Sequence, residues 1–326
     1  MAETTAKVLL LSMLLIPKCV YATLVPPKLL NDVVALGSMQ PVELPGQPCM
    51  LRWTTEGTGL LYGYLIKNDP DPAKRLYQVY LITNRHVIEQ HSKAQLSLKM
   101  NRPLSQLSGA CSAVRFDETL ITVRINPLSP SAEGRQFDLS IRDWFFHPNN
   151  KVDIAGIGLN AQFLKDQGLM DVFFSNDEIG ANKEKLKLKG VSAGDGVFVL
   201  GFPMNLAGIQ RNYVIVRQGC IARISDMLES TSPDFLVDAF IFPGNSGSPV
   251  ILKPEAISIT GTPAQSTAYL IGIVTGYIPY TDTAISPQTG RPRISFEENS
   301  GLAEVLPIDN IDEAIRSWQQ ANPQAQ

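Results

Sequence analysis

Short runs of β-branched and aromatic residues, separated by clusters of Gly, Pro, Asn and Asp, constrain this chain more than any other feature. Gly59–Ile66 (GLLYGYLI), Leu76–Thr83 (LYQVYLIT), Leu120–Ile125 (LITVRI), Gly196–Leu200 (GVFVL), Tyr213–Val216 (YVIV) and Tyr269–Thr275 (YLIGIVT) all have this form. Such residues suit a pleated, half-buried surface, and turn formers such as Asn68-Asp69-Pro70-Asp71-Pro72 end the runs. Helical signals are few. Over Asp309–Gln320 the side chains of Ile311, Ile315 and Trp318 fall on one face, and Asp309 or Asn310 can cap the start. Residues 160–182 break the strand rhythm and read as a connector between two β halves. Lys183–Lys189 (KEKLKLK) alternates Lys with Leu and reads as a solvated strand face. The pattern predicts an all-β fold in two halves, sandwiches or barrels, followed by a C-terminal helix.

With 44% hydrophobic side chains in 326 residues, the chain has ample material for a core, which excludes global disorder. A net charge of −3 lacks the basic footprint of a nucleic-acid binder. Three His, with no HExxH or CxxC spacing, give no metal site, and nothing in the sequence calls for a cofactor. Residues 8–16 (VLLLSMLLI) form an apolar run too short to span a bilayer, preceded by Lys7 and followed by Val20-Tyr21-Ala22. This reads as a signal peptide over residues 1–22, cleaved after Ala22, and predicts an exported protein, periplasmic or secreted, with no membrane association once cleaved. Three of the four Cys then remain, Cys49, Cys111 and Cys220, so at most one disulfide forms and one thiol is left over. Residues 23–48 carry five prolines without steady periodicity and read as an extended arm.

Chemistry concentrates at residues 243–249, Pro-Gly-Asn-Ser-Gly-Ser-Pro. A serine hydroxyl is a weak nucleophile that needs a nearby base, and N–H groups aimed at the oxygen that becomes negative. Gly244 tolerates φ values other residues resist, and Gly247 leaves the Ser246 hydroxyl accessible. On composition alone this stretch is equally a surface turn. His86 follows the apolar run Tyr80-Leu-Ile-Thr-Asn-Arg, and Asp153 follows Phe-Phe-His-Pro-Asn-Asn-Lys-Val. The chain order His, Asp, Ser is one known solution to the nucleophile–base–orienter problem. An α/β-hydrolase is excluded, because position 248 is Ser and all three His precede Ser246.

LITNRHVI, HPNNKVDIAGIGL and FPGNSGSPVI together resemble the three catalytic blocks of chymotrypsin-like serine peptidases. The bacterial members are the nearest in flavour: VDAFIFPGNSGSPV is similar to HtrA-type proteases, and GNSGSPV to glutamyl endopeptidases. Gly201-Phe-Pro203, Gly219, GIVTG (272–276) and GLAEVLPID (301–309) extend the likeness over roughly residues 50–320. The resemblance implies two six-stranded antiparallel β-barrels, residues 49–175 carrying His86 and Asp153 and residues 176–307 carrying Ser246, with a helix and tail at 308–326. It implies that Ser246 attacks a peptide carbonyl, His86 relays the proton, and a buried Asp153 orients the imidazole. The Gly244-Asn245-Ser246 stretch then forms the oxyanion hole through the N–H groups of Gly244 and Ser246. An inactive chain of the same fold that binds a partner is the rival reading.

Departures from the family shape the expected specificity. Asn245 replaces the Asp that pairs with a new amino terminus in the digestive enzymes, so activation of that kind is not expected. Phe240, six residues before Ser246, falls at the expected floor of the specificity pocket, where a Lys or Arg side chain would lie desolvated and unpaired. Val274 stands where glutamyl endopeptidases carry a His. Thr275, Gly276 and Tyr277 line the remaining wall, and Tyr277 narrows it. Protein or peptide substrates with a small or medium apolar residue before the cut are the expectation. The separation of 67 positions from His86 to Asp153 implies enlarged loops around residues 90–135.

Overall fold

In the computed structural model the described residues are 25–42, 49–101, 117–255 and 266–323, with side chains undescribed from 96 to 101. The expected signal peptide and Cys111 lie outside them. The first half is built from β1 (Val33–Val42), β2 (Met50–Lys67), β3 (Leu76–Thr83), β4 (Leu120–Ile125), β5 (Arg135–Ser140), β6 (Phe145–Phe146), β7 (Ala155–Leu159) and β8 (Phe174–Ser175). These form one sheet in the order β5-β4-β1-β2-β3-β7-β6, with β8 pairing parallel to β2. The sheet curves as a half-barrel with no closing pair among the described residues, where the sequence led us to expect six strands closed into a barrel. The edge strand β6 has two residues, too few for a closing ladder, and pairs only β7 among the described residues.

The second half is a closed antiparallel barrel of six strands: β9 (Gly196–Gly201), β10 (Ile215–Arg223), β11 (Phe235–Asp238), β12 (Pro249–Leu252), β13 (Leu270–Ile285) and β14 (Pro292–Pro307). Val197, Val199, Ile221, Val237, Val250, Ile271 and Val305 fill its interior. Alternate residues of β9, β11 and β14 point inward, as the two-residue strand period requires.

Several local expectations are corrected. The supposed arm 23–48 contributes α1 (Pro27–Asn31) and then β1, whose Val33, Val34, Ala35 and Leu36 are buried in the core. All four neighbours are apolar because this part of β1 is covered on both faces, so the alternation that flags a half-buried strand is absent. Lys183–Lys189 holds a helix, α4 (Lys183–Leu188), instead of a strand: the Asn182 side chain accepts the Lys185 N–H at 2.9 Å, and only Leu186 is buried. The segment expected to be loop after residue 90 continues α2 (Arg85–Asn101) and includes β4. The connector at 160–182 carries α3 (Ala161–Asp166) and β8. A further short helix, α5 (Ser225–Leu228), follows β10. The C-terminal α6 (Ile308–Ala321) lacks a side-chain cap, since it starts before the expected Asp309 or Asn310 with Pro307 at the cap position, and Asp309 accepts the N–H of Lys183 at 3.0 Å. Cys49 is disulfide-bonded to a partner outside the described residues, and Cys220 carries a free thiol.

The halves share an apolar cluster, in which Val33, Leu60 and Ile82 of the first lie with Phe198, Leu200 and Ile273 of the second, and beside it runs a buried polar seam. Arg124 of β4 is 1% exposed, has no carboxylate partner among the described residues, and is pushed down to a pKa of about 10 by burial. Its guanidinium donates to Asn212 Oδ1 at 2.7 Å and to the carbonyls of Gly208 and Ile209, with the Trp53 ring 4.9 Å away. Asn126 and Asn212 exchange two further hydrogen bonds across the seam. From the end of the barrel, α6 returns to the first sheet: Tyr62 donates to Asp312 at 2.7 Å, and Trp318 stacks on Phe145.

Candidate active site

His86 is the second residue of α2, just beyond the end of β3. This puts it at the rim of the first sheet instead of inside it. Asp153 ends a tight loop closed by Val152 N–H to Asn149 O and by His147 N–H to Ile154 O. Arg85 clamps that loop, donating to His147 O at 2.6 Å and to Asn150 Oδ1 at 3.0 Å while its guanidinium stacks on Phe146. Asn84 Nδ2 donates to the Asp153 carbonyl at 2.8 Å. Two consecutive residues, Asn84 and Arg85, thus fix the position of Asp153 relative to their neighbour His86.

The three predicted side chains converge. His86 Nδ1 lies 2.5 Å from Asp153 Oδ2, and the His86 backbone N–H donates to Asp153 Oδ1 at 2.9 Å. His86 Nε2 lies 2.8 Å from Ser246 Oγ. A carboxylate accepts only, so Nδ1 carries the proton of the neutral imidazole and Nε2 is left to accept from the serine O–H. Asp153 was expected to be buried, but its side chain is 27% exposed, and that of His86 is 30% exposed. Two donors and partial solvation hold the carboxylate, so full burial is not needed to orient the ring.

The nucleophile loop owes its shape to two glycines and to Thr58 of β2. Gly244 (φ +100°) and Gly247 (φ +83°) adopt the left-handed region. A Cβ on Gly244 would stand 2.3 Å from Phe202 O, and one on Gly247 would stand 2.0 Å from Thr58 O. The Pro243 carbonyl accepts from Met204 N–H at 2.7 Å, and the Asn245 carbonyl from Ser248 N–H at 2.8 Å. Across a planar trans peptide the N–H points opposite to the C=O. The N–H groups of Gly244 and Ser246 are therefore turned away from these internal contacts, and neither has an acceptor among the described residues. Two free backbone donors on alternate residues around a serine can receive a developing oxyanion.

The Asn245 side chain does not face this opening. It is 1% exposed, accepts from Phe242 N–H and donates to Ser248 Oγ, closing the loop on itself. Thr58 is the tie to the other half. Its N–H donates to Ser246 O at 2.8 Å, its hydroxyl donates to Gly244 O at 2.7 Å and accepts from Phe202 N–H, and its carbonyl accepts from Thr83 Oγ1 at 2.7 Å. Sequence reasoning missed Thr58, Asn84 and Arg85. The run Gly57-Thr58-Gly59 carries a usable signal, since a Cβ on Gly57 or Gly59 would strike Val87, Leu36 or Leu81.

A cavity of about 380 Å³ opens beside Gly244, walled by Glu56, Val87, Met204, Asn205 and Pro243. Met204 (φ +53°) and Asn205 (φ +59°) are consecutive non-glycine residues in the left-handed region. That costs energy and is held by Asn205 Oδ1 accepting from Thr55 N–H at 2.6 Å, together with the Met204 bond to Pro243. Of the residues expected to line a specificity pocket, Thr275 donates to Glu304 O at 3.3 Å, Gly276 faces Glu304 across the ladder, and Tyr277 packs on the barrel core. Phe240, expected as a pocket floor, is 54% exposed, with its ring beside Gly301. No protein-family model and no curated protein sequence matches the chain.

Proposed function

We propose that this chain is an exported serine endopeptidase of the chymotrypsin-like kind, its open first sheet corresponding to the first of that family's two barrels. The observation that carries the reading is the hydrogen-bonded line Asp153–His86–Ser246, ending beside the free N–H groups of Gly244 and Ser246. Ser246 Oγ attacks the scissile carbonyl as His86 Nε2 takes its proton, and Asp153 stabilises the imidazolium that forms. The carbonyl oxygen, now negative, is held by the two N–H donors. His86 then returns the proton to the leaving amine. Water repeats the sequence on the acyl-Ser246 ester and restores the enzyme. Each proton is accounted for by these three side chains, so the reaction needs no cofactor.

The substrates are proteins or peptides, and the residue before the cut is small or medium-sized and apolar. An exposed Phe240 and a partly buried Tyr277 offer apolar surface, and neither carries a charge to pair with a Lys or Arg side chain. The test is to incubate the purified protein with a mixed peptide library and read the new termini by mass spectrometry. Cleavage that vanishes with Ser246→Ala, clustered after residues such as Ala, Val or Leu, is the expected result. Intact peptides would leave the fold as a binding module, and cuts after Lys or Arg would refute the pocket assignment.

A further inference from the structure

Beyond the barrel, β13 and β14 continue as a two-stranded ribbon that stands alone. From Ile278 to Glu298 nearly every residue is exposed on both faces. A lone two-stranded ribbon is marginal in water. Directly opposed residues share a face, and the register pairs Tyr280 with Glu298, Asp282 with Phe296 and Ala284 with Ile294. Tyr280, Phe296 and Ile294, each more than half exposed, therefore form one apolar stripe. The other face carries Thr281 opposite Glu297 and Thr283 opposite Ser295 and is polar. On the apolar face Asp282 and Glu298 have no basic partner among the described residues.

The root of this ribbon is the candidate active site. Val274 exchanges hydrogen bonds with the nucleophile loop: Gly247 N–H donates to Val274 O, and Val274 N–H to Ser248 O, both at 2.9 Å. Beyond Val274 no described strand pairs with the β12 side of β13, so an open strand edge starts beside Ser246 and runs out along the ribbon. Pro279 interrupts its donors once, as edge strands commonly do, which shifts recognition there onto side chains.

We propose that the ribbon is an extended substrate-binding arm that takes the stretch of an unfolded polypeptide lying before the cut, with apolar side chains alternating and a basic residue among them. This rests on the peptidase reading. Every ladder of the barrel is antiparallel, and a substrate that takes the place of β12 on β13 in the same sense runs from the ribbon tip toward Ser246. Residues preceding the scissile bond therefore lie on the ribbon. Residues 278–285 span about 26 Å, so the arm reads positions roughly four to eleven before the cut. The stripe Tyr280–Phe296–Ile294 receives apolar side chains, and Asp282 and Glu298 meet a Lys or Arg between them.

The test uses the full chain, a cleavable sequence in a short peptide with four residues before the cut, and the same sequence with twelve, in which every second residue is Leu or Val except one Lys among them and the residues between are Ser or Thr. Wild type should show kcat/KM at least tenfold higher on the long peptide. Tyr280→Thr/Ile294→Thr/Phe296→Thr should bring the ratio near one while leaving the short peptide unchanged. A chain in which an Asn-Gly turn replaces residues 282–296 should do the same. Binding of the long peptide to Ser246→Ala, followed by fluorescence anisotropy, should weaken at least tenfold in either ribbon variant. Fluorophosphonate labelling of Ser246 judges the peptidase reading separately, and a protein that labels but shows equal rates on both peptides loses the arm and keeps the hydrolase. An undiminished length preference in the ribbon variants, loss of the short-peptide rate in both, or a ribbon-dependent dimer in sedimentation in place of peptide binding would overturn the proposal.

Discussion

The interior of the closed barrel is an apolar cluster, whereas the contact between the two halves adds a buried polar seam to an apolar cluster that both halves share. The barrel interior is aliphatic and aromatic, so it tolerates exchange among side chains of similar volume. The polar seam is buried beside the shared apolar cluster: Thr58, Arg124, Asn126 and Asn212 are each 4% exposed or less. The barrel core makes the second half a solid body, whereas the seam decides where Ser246 lies relative to His86, which the other half carries. The seam residues thus contribute to alignment as well as to stability, and substitutions can separate the two contributions.

The sharpest break comes at the line the seam aligns. Ser246→Ala or His86→Ala should lower kcat by roughly 10⁴–10⁶ without changing the unfolding midpoint, measured by peptide hydrolysis and urea titration. Next, Arg124→Ala should cost about 3–5 kcal/mol of stability in urea, because Asn212 Oδ1 and the carbonyls of Gly208 and Ile209 lose their donor inside the seam.

Asp312 sets a pH dependence on the same seam. Burial, the dominant cause, raises its carboxyl to about 6 from a usual 3.8, partly offset by the Tyr62 hydrogen bond. The folded chain holds this proton between pH 4 and 6 after the unfolded chain has released it, so stability falls as pH rises across that window and stays lower above it. Asp312→Asn keeps an acceptor for Tyr62 and should flatten that fall, gaining about 2–3 kcal/mol at pH 7.5 and nothing at pH 3.5 in urea titrations at the two pH values.

The smallest expected effect is the most discriminating. Thr58→Val keeps the shape but removes the hydroxyl that holds Gly244 O. It should reduce kcat roughly tenfold to a hundredfold with KM nearly unchanged, and Thr58→Ser should restore it. A rise in KM with kcat unchanged, or no rescue by Ser, would mean that Thr58 fills space only.

Much of this was legible in the sequence because strand alternation and the His–Asp–Ser order are local patterns. His86, Asp153 and Ser246 each sit in a segment whose own residues mark a strand end or a turn, so position in the chain implied position at a rim. The seam was not legible, because Thr58 and Arg124 look like ordinary strand residues and acquire their roles from segments 144 and 88 residues away. β1 was read as an arm because a strand buried on both faces shows no alternation. Lys183–Leu188 misled in the other direction: its Lys–Leu alternation fits a strand, and the Asn182 cap that selects a helix precedes it. The closure of the first half depends on long-range pairing, which six-residue patterns do not encode.

The most direct test of the central claim is intact-mass measurement after treatment with a fluorophosphonate, with the adduct mapped by peptide sequencing. Wild type should gain a single adduct on Ser246, His86→Ala should gain it far more slowly, and Ser246→Ala should gain none. Equal labelling of all three chains, or an adduct on another residue, would contradict the account.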